Sequence, residues 1–239
     1  MMIDLHAHVL PGLDDGAADE AAALALCRLA VADGIGTLVA TPHLYGGVGV
    51  ADPQVIPVAA EHLRERLAEE GIGLDLRWAA EVPLLENAVE LYRSGLWPAY
   101  DERRRYLLLE MPAIASGLPI LKETIFRLRL EGAVPILAHP ERLDFLDDSS
   151  AVEGLRSQGA LLQITAACLL APGSRSYRRA ADWIDRGWVQ MVASDAHDPS
   201  RRPPRLAAAR RWLADRVGEA GAAKLTEGNP RKILLGEPL

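Results

Sequence analysis

Ile3-Asp4-Leu5-His6-Ala7-His8 opens the chain as a short apolar run that carries two histidines at its end. In a β-strand, residues i and i+2 point to the same face of the sheet. The imidazoles of His6 and His8 are therefore expected on one side, where they can bind one metal ion. The length and composition of the run predict a buried strand, the first of the fold.

Six further apolar runs follow at intervals of roughly 30 residues, the length of one strand-helix-strand unit. Segments with helical spacing lie between them, and this alternation predicts a parallel sheet with crossover helices. The predicted strands cover residues 3–6, 37–40, 74–79, 106–109, 134–138, 161–164 and 189–193. The predicted helices cover residues 19–33, 54–70, 84–94, 118–131, 151–158, 176–186 and 205–217.

The predicted strands are continuous apolar runs, a pattern typical of strands that are covered on both faces. With 239 residues, of which 49% are hydrophobic, the chain can bury one substantial core. Seven strand-helix units are too many for a modest open sheet, so we expect a distorted (βα)7 TIM-like barrel in a single domain spanning residues 1–239. An open, doubly wound sheet is the alternative.

Charge and cysteine content exclude several classes of function. The formal net charge of −7 argues against a nucleic-acid-binding surface. Two cysteines, Cys27 and Cys168, are too few for a disulfide scaffold and fit a reducing cytoplasm. No apolar run reaches the length of about 18 residues that reads as a membrane span, and the amino-terminal residues lack the pattern of a signal peptide. We therefore expect a cytoplasmic protein without membrane insertion.

Ionisable residues lie at the ends of six of the seven predicted strands. Because sites in parallel α/β folds form at the carboxyl ends of the strands, these side chains are expected to meet. Imidazoles and carboxylates without cysteine suit manganese, iron or zinc. Nine candidates are too many for one ion, so two cations are required and there is room for a third. The candidate ligands are His6, His8, Asp15, His43, Glu81, Glu110, His139, Asp195 and His197.

Arginines extend this pattern. Arg142 lies three residues beyond His139, and Arg201 and Arg202 lie just beyond His197. A planar guanidinium group suits phosphate oxygens. The four candidate carboxylates offset two divalent cations, so a third cation would attract an anion. Because paired cations activate water and stabilise the attacking and leaving oxygens, the pattern predicts hydrolysis of a phosphate ester. Asp14, by contrast, is expected only to form a turn.

Four motifs together resemble those of the polymerase-and-histidinol-phosphatase (PHP) superfamily: His-x-His, Thr-Pro-His, His-Pro-Glu-Arg and Ser-Asp-Ala-His. Within it, residues 3–17 closely resemble the opening of the metal-dependent protein-tyrosine phosphatases that are encoded in bacterial capsule and exopolysaccharide clusters. The similarity runs from Met2 to Pro230 and includes Leu-Glu-Met-Pro at residues 109–112 and Gln-Ile-Thr-Ala at residues 163–166.

The resemblance implies a distorted seven-stranded barrel with three metal ions, manganese being favoured. It also implies a cytoplasmic enzyme that removes phosphate from the tyrosine-rich tail of an autophosphorylating bacterial tyrosine kinase. By motif match, the nine candidates would be metal ligands. Arg142 and Arg202 would bind the phosphate and take part in catalysis.

Four other interpretations can be compared with the sequence. A PHP-type enzyme could act on a small phosphate ester such as histidinol phosphate, and a regulatory barrel without catalysis would have lost ligands, whereas none is missing here. Amidohydrolases usually carry a bridging lysine after the fourth strand, where this chain has Glu110. A cysteine-based phosphatase needs an arginine six residues after its cysteine, but those positions hold Asp33 and Ser174.

Overall fold

The computed structural model describes residues 1–111, 114–147 and 149–239. Strands and helices alternate along most of the described chain, and every recorded strand pair is parallel. The predicted α/β class is therefore confirmed. The strands are β1 (Met2–Ala7), β2 (Ile35–Ala40), β3 (Asp75–Trp78), β4 (Glu81–Pro83), β5 (Tyr106–Glu110), β6 (Val134–Ala138), β7 (Leu161–Thr165) and β8 (Met191–Ala193).

Helices of very different length connect or follow these strands. Most begin and end within a few residues of the predicted bounds. Asp19 caps the first helix by accepting a hydrogen bond from the Ala22 N–H (2.8 Å), and Gly34 beyond its end has a φ of +85°. The helices are α1 (Glu20–Ala32), α2 (Val55–Glu69), α3 (Ala88–Arg93), α4 (Leu118–Leu130), α5 (Ser149–Ser157), α6 (Ala166–Leu169), α7 (Arg175–Asp185), α8 (Leu206–Ala223) and α9 (Asn229–Leu234).

Two stretches of the predicted secondary structure are wrong. The helix expected at residues 84–94 begins only at Ala88, because the Leu84 N–H donates to Glu110 O (3.1 Å) and holds the chain beside β5. The strand expected at residues 74–79 is followed by a separate strand. The Ala79 N–H still bonds to Ala40 O (2.9 Å), whereas the Glu81 N–H bonds to Pro42 O (3.1 Å) and begins β4. The described chain thus has eight strands instead of seven.

The strands form two sheets, β1-β2-β3 and β4-β5-β6-β7-β8. Backbone hydrogen bonds link the sheets at two places. Near β8, the His8 N–H donates to Ala196 O and the Asp195 N–H donates to His6 O, both at 2.8 Å. Near β4, the Leu44 N–H donates to Glu81 O (2.9 Å). These links bring the carboxyl ends of strands from both sheets to one edge of the molecule.

Successive side chains of the strands enter two different apolar clusters. Leu107 and Leu109 of β5 belong to the larger cluster, which contains most of the buried helix residues. Tyr106 and Leu108 belong to a smaller cluster, built mainly from strand residues and including Ile233 of α9. This alternation explains the continuous apolar runs, since both faces of each strand are covered. In the described part of the chain, no helix combines the length and hydropathy needed to span a membrane.

Candidate metal centre

The structure brings all nine candidate side chains together at the carboxyl ends of the strands. Their possible ligand atoms fall into four overlapping groups, in each of which the atoms lie within 4.8 Å of one another. The groups share members, so the site is one continuous cluster. The groups are His8, Asp15, His43 and His197; His6, His8 and Glu81; His6, His139 and Asp195; and His43, Glu81 and Glu110.

The imidazole rings pack against one another in the middle of this cluster. The His6 and His8 Nε2 atoms lie 3.1 Å apart. The ring centroid of His8 lies 3.8 Å from that of His197 and 4.7 Å from that of His43. Such close nitrogen atoms repel one another when the rings are protonated, and burial together with the positive charge of His8 lowers the pKa of His197 to about 3. Neutral imidazoles are the form that binds metals.

Glu81 is the central carboxylate and is completely buried. Its Oε2 atom lies 3.1 Å from His6 Nε2, and its Oε1 atom lies 2.9 Å from His139 Nε2. Burial alone would raise the pKa of Glu81, but the charge of His6 and the interaction with His139 lower it well below its ordinary value. Glu110 behaves in the opposite way, because burial and the charge of Glu81 raise its pKa. The cluster therefore holds a stable anion at its centre.

Asp195 connects the histidines to the two arginines. Its Oδ2 atom accepts hydrogen bonds from Arg202 Nη2 (2.6 Å) and from Arg142 Nη2. Its Oδ1 atom lies 3.4 Å from His6 Nε2 on the other side. Burial raises the pKa of Asp195, but the positive charges of His6 and Arg142 outweigh this effect and lower it. One ionised carboxylate thus separates an imidazole cluster from a guanidinium pair.

The arginine pair lines an open pocket next to this carboxylate. The Arg142 and Arg202 side chains are 34% and 41% exposed, so their remaining N–H groups can reach a ligand. Arg142 Nη2 also donates to Thr165 Oγ1 (3.0 Å), which fixes the orientation of the guanidinium. The pocket has a volume of about 120 Å³ and includes Ser194 in its lining. Its size and charge suit a small anion.

Backbone strain marks two of the candidate ligands. Among the residues that the structure describes, only four other than glycine have a positive φ, and two of them are His139 (35°) and Asp195 (54°). Both follow the end of a strand, β6 or β8. The left-handed conformation costs free energy at such residues and persists where the surroundings enforce it, most often at functional sites. The strained backbone lies at the two strand ends that deliver these side chains to the cluster.

Two residues of the site were missed from the sequence. Asp14, expected only to form a turn, has a buried side chain, and its Oδ2 atom lies 2.6 Å from His8 Nδ1. Gln163 lies on β7, where no ionisable site residue was expected, and its Oε1 atom lies 2.9 Å from His6 Nδ1. A polar amide inside the apolar run of β7 is the one sequence signal that pointed to Gln163. Pro112, the last residue of the Leu-Glu-Met-Pro motif, lies outside the described residues.

The fold and the site define a class of protein: a parallel α/β protein with a histidine- and carboxylate-rich centre at its strand ends, next to paired arginines. Within that class, the chain belongs to the family described as capsular polysaccharide synthesis, CpsB/CapC, whose model matches residues 2–235. The relationship to the tyrosine phosphatases of capsule clusters that the motifs predicted is confirmed by this match and by the relatives below.

Two curated relatives are named as tyrosine-protein phosphatases. YwqE of Bacillus subtilis is 34% identical over 205 residues, which cover 84% of this chain and 79% of YwqE. CpsB of Streptococcus pneumoniae is 28% identical over 243 residues, which cover 99% of each chain. The chain is thus similar to these proteins over most of their length.

Solved structures agree with this assignment. A chain from crystal structures of YwqE and CpsB, described as unique metal-dependent tyrosine phosphatases, matches with a TM-score of 0.90 and 30% identity, covering 100% of this chain and 96% of that one. The phosphotriesterase homology protein of Escherichia coli matches with a TM-score of 0.62 at 14% identity, covering 98% of each chain. This second likeness shows the fold alone.

Proposed function

We propose that this protein is a metal-dependent phosphoric monoester hydrolase that acts on phosphotyrosine in proteins. The observation that carries the proposal is the position of Asp195, which binds Arg142 and Arg202 through one oxygen while the other faces His6. A phosphate held by the two arginines would lie directly beside the histidine cluster. The names of the relatives YwqE and CpsB support the same chemistry.

We also propose that the nine candidates bind divalent cations, three per chain, with manganese favoured over iron or zinc. In the described part of the chain, Glu81 Oε1 and Asp195 Oδ1 are buried without a hydrogen-bond partner, although imidazole nitrogens lie close to both. Such oxygens are costly to bury unless a cation satisfies them. The donor set of nitrogen and oxygen atoms fits these metals. Three divalent cations would exceed the four carboxylate charges and so favour a phosphate dianion.

Bound cations would supply an activated water nucleophile and would stabilise the leaving phenolate oxygen. The chain's own residues perform the remaining tasks. Arg142 and Arg202 bind phosphate oxygens and neutralise the charge of the transition state. Asp195 holds both guanidinium groups against the cluster, and Thr165 accepts a hydrogen bond from Arg142 and limits its rotation. The phosphate is thereby positioned before the reaction, which lowers the entropic part of the barrier.

For the fold, we propose one distorted TIM-like barrel of the PHP type that forms a single domain over residues 1–239. The (βα)7 count treats β3 and β4 as one interrupted strand. The backbone hydrogen bonds between the two sheets support this arrangement, and so does the division of strand side chains between two apolar clusters. The TM-score of 0.62 to the phosphotriesterase homology protein agrees with it.

For the substrate, we propose the phosphorylated, tyrosine-rich tail of a bacterial tyrosine kinase that regulates capsule or exopolysaccharide synthesis, and for the enzyme itself a cytoplasmic location. The family description, capsular polysaccharide synthesis, supports the pathway. The free thiols of Cys27 and Cys168 fit a reducing compartment. A small phosphate ester such as histidinol phosphate is the alternative that the assay must separate.

The proposal is tested with purified protein reloaded with manganese. Turnover is measured on a phosphotyrosine peptide, on the same peptide with phosphoserine, and on histidinol phosphate. We expect the phosphotyrosine peptide to be the preferred substrate, with activity lost on chelation and regained on addition of manganese. Preferential hydrolysis of histidinol phosphate would overturn the substrate proposal, and activity that is indifferent to chelation would overturn the metal-dependent chemistry.

A further inference from the structure

Gln163 contacts two candidate ligands that come from different strands. The residue lies in the middle of β7 and is only 1% exposed. Its Oε1 atom lies 2.9 Å from Nδ1 of His6 and accepts a hydrogen bond from the backbone N–H of His139 (3.3 Å). A single amide oxygen therefore joins the end of β1 to the end of β6 behind the metal centre.

The contact with His6 determines how that ring meets the cluster. An amide oxygen only accepts hydrogen bonds, so Nδ1 of His6 must carry a proton, and Nε2 is the nitrogen left to bind a metal ion. Nε2 then faces Glu81 Oε2 and His8 Nε2, each at 3.1 Å. This is the tautomer that can bind a metal ion through Nε2.

The contact with His139 acts on the backbone instead. His139 has a left-handed conformation, with a φ of 35° and a ψ of 47°. Its N–H points to Gln163, and its side chain reaches Glu81 Oε1 (2.9 Å) on the cluster side. Loss of the Gln163 acceptor would remove one of the bonds that hold this strained residue in place.

Other histidines of the cluster have different partners behind them. His8 Nδ1 faces the carboxylate of Asp14 (2.6 Å), and His197 Nδ1 faces the backbone oxygen of Asp195 (3.0 Å). In the described structure, the partner of His6 Nδ1 is the amide oxygen of Gln163, which is neutral. A neutral acceptor orients the ring without adding charge to a buried site that already holds several carboxylates.

We infer that Gln163 is a positioning residue of the metal centre, which sets the tautomer of His6 and the backbone of His139. The inference rests on the proposed metal-dependent function. It assigns Gln163 to the ligand groups that contain His6 or His139. Two groups contain neither of them and should not depend on Gln163: His8, Asp15, His43 and His197, and His43, Glu81 and Glu110.

The test compares Gln163→Met with Gln190→Met. Methionine is close to glutamine in shape but cannot accept the same hydrogen bonds. Gln190 is a matched control, because its Oε1 atom accepts the backbone N–H of Leu162 on the same strand (3.0 Å), at the end away from the cluster. Each metal-free variant is titrated with Mn²⁺ by calorimetry, and its melting temperature is measured without metal.

We expect Gln163→Met to weaken Mn²⁺ binding by about 10- to 100-fold at the sites that involve His6 and His139, the usual effect of losing an outer partner of a ligand. Binding at the two groups without His6 or His139 should persist. Gln190→Met should lose thermal stability but keep the wild-type affinities. Gln163→Glu, which retains an acceptor for His6 but adds a buried charge, should bind Mn²⁺ more tightly than Gln163→Met.

Equal Mn²⁺ affinities in the two methionine variants would overturn the positioning role. The same conclusion follows if Gln163→Glu binds as weakly as Gln163→Met. If Gln163→Met does not fold, Gln163→Asn replaces it, since asparagine keeps the amide but withdraws the acceptor by one methylene. Failure of the wild-type protein to bind Mn²⁺ at all would instead contradict the proposed function, so the two failures can be told apart.

Discussion

His8 Nδ1 lies 2.6 Å from Asp14 Oδ2, so a carboxylate behind the ring determines which nitrogen faces the centre. The same oxygen accepts the backbone N–H of His43 (2.9 Å) and thereby ties the loop after β1 to the loop after β2. Burial lowers the pKa of His8, but the bonds to Asp14 and Glu81 raise it to about 10. Asp14 therefore acts on two candidate ligands at once.

Replacement of Asp14 by alanine should weaken Mn²⁺ binding by about 10- to 100-fold, because the ring of His8 and the backbone of His43 both lose their acceptor. Calorimetric titration of the metal-free protein measures the change. Asp19→Ala is the control, since Asp19 also accepts a backbone N–H in this loop but only caps α1. That variant should lose about 1 kcal/mol of stability and keep its metal affinity. Equal metal binding in both variants would remove Asp14 from the site.

Arg142→Lys and Arg202→Lys keep the charge but lose the planar guanidinium. Each should cost about 1–3 kcal/mol of transition-state stabilisation, seen as a fall of kcat/KM on a phosphotyrosine peptide. Arg178→Lys is the control, because Arg178 donates to Gly173 O away from the arginine pair. Unchanged kcat/KM in both Arg142 and Arg202 variants would mean that the cations alone bind the phosphate.

Gly16→Ala should damage the site through sterics alone. A Cβ atom at Gly16 would collide with the backbone oxygen and Cβ of His8, whereas one at Gly47 in the next loop would meet nothing within 4 Å. Overpacking of this kind costs about 1–3 kcal/mol, and here it also displaces a ligand candidate. Gly16→Ala should lower both the free energy of unfolding measured in urea and the Mn²⁺ affinity measured by titration. Gly47→Ala should change neither. A Gly16→Ala protein with normal metal binding would contradict the tight packing of this loop.

A double Cys27→Ala, Cys168→Ala variant should keep most of its phosphatase activity. Burial raises the pKa of Cys27 to about 12, and burial together with Glu141 raises the pKa of Cys168 well above its ordinary value. Neither thiol is then a thiolate at neutral pH, which a cysteine nucleophile requires. Turnover of the folded, manganese-loaded variant is the measurement. Its complete loss would indicate a cysteine mechanism.

The convergence of the nine candidates was predictable because it follows from one regularity, the common direction of parallel strands. Because the paired strands are parallel, each strand that ends near a candidate such as His6 or Glu110 brings that side chain to the same end of its sheet. The pairing of β1 with β2 is less regular, because its register shifts between Asp4 and Ala7, on either side of His6. The residue pattern identifies the end of a strand even where it misses such an irregularity.

The roles of Asp14 and Gln163 were not predictable in this way. Asp14 and Asp15 are adjacent and carry the same side chain, and only the folded structure shows that Asp14 lies behind His8 while Asp15 faces the rings of His43 and His197. Gln163 carries no charge, so it lacked the signal that marked the other candidates. The break between β3 and β4 was missed for a related reason, because Ala79 and Ala80 continue the apolar run while their hydrogen bonds go to different partners, Ala40 and Pro98.

The division of the strands into two sheets has a consequence for unfolding. Candidate ligands such as His6 and His43 belong to the three-stranded sheet and its loops, whereas Glu81 and Glu110 belong to the five-stranded sheet. A cation bound by both groups would cross-link the two sheets. Opening of either sheet alone would then forfeit the whole free energy of binding, which stabilises only the complete native state. Metal loading is thus expected to add a cross-link to the backbone hydrogen bonds between the sheets and to make their unfolding more cooperative.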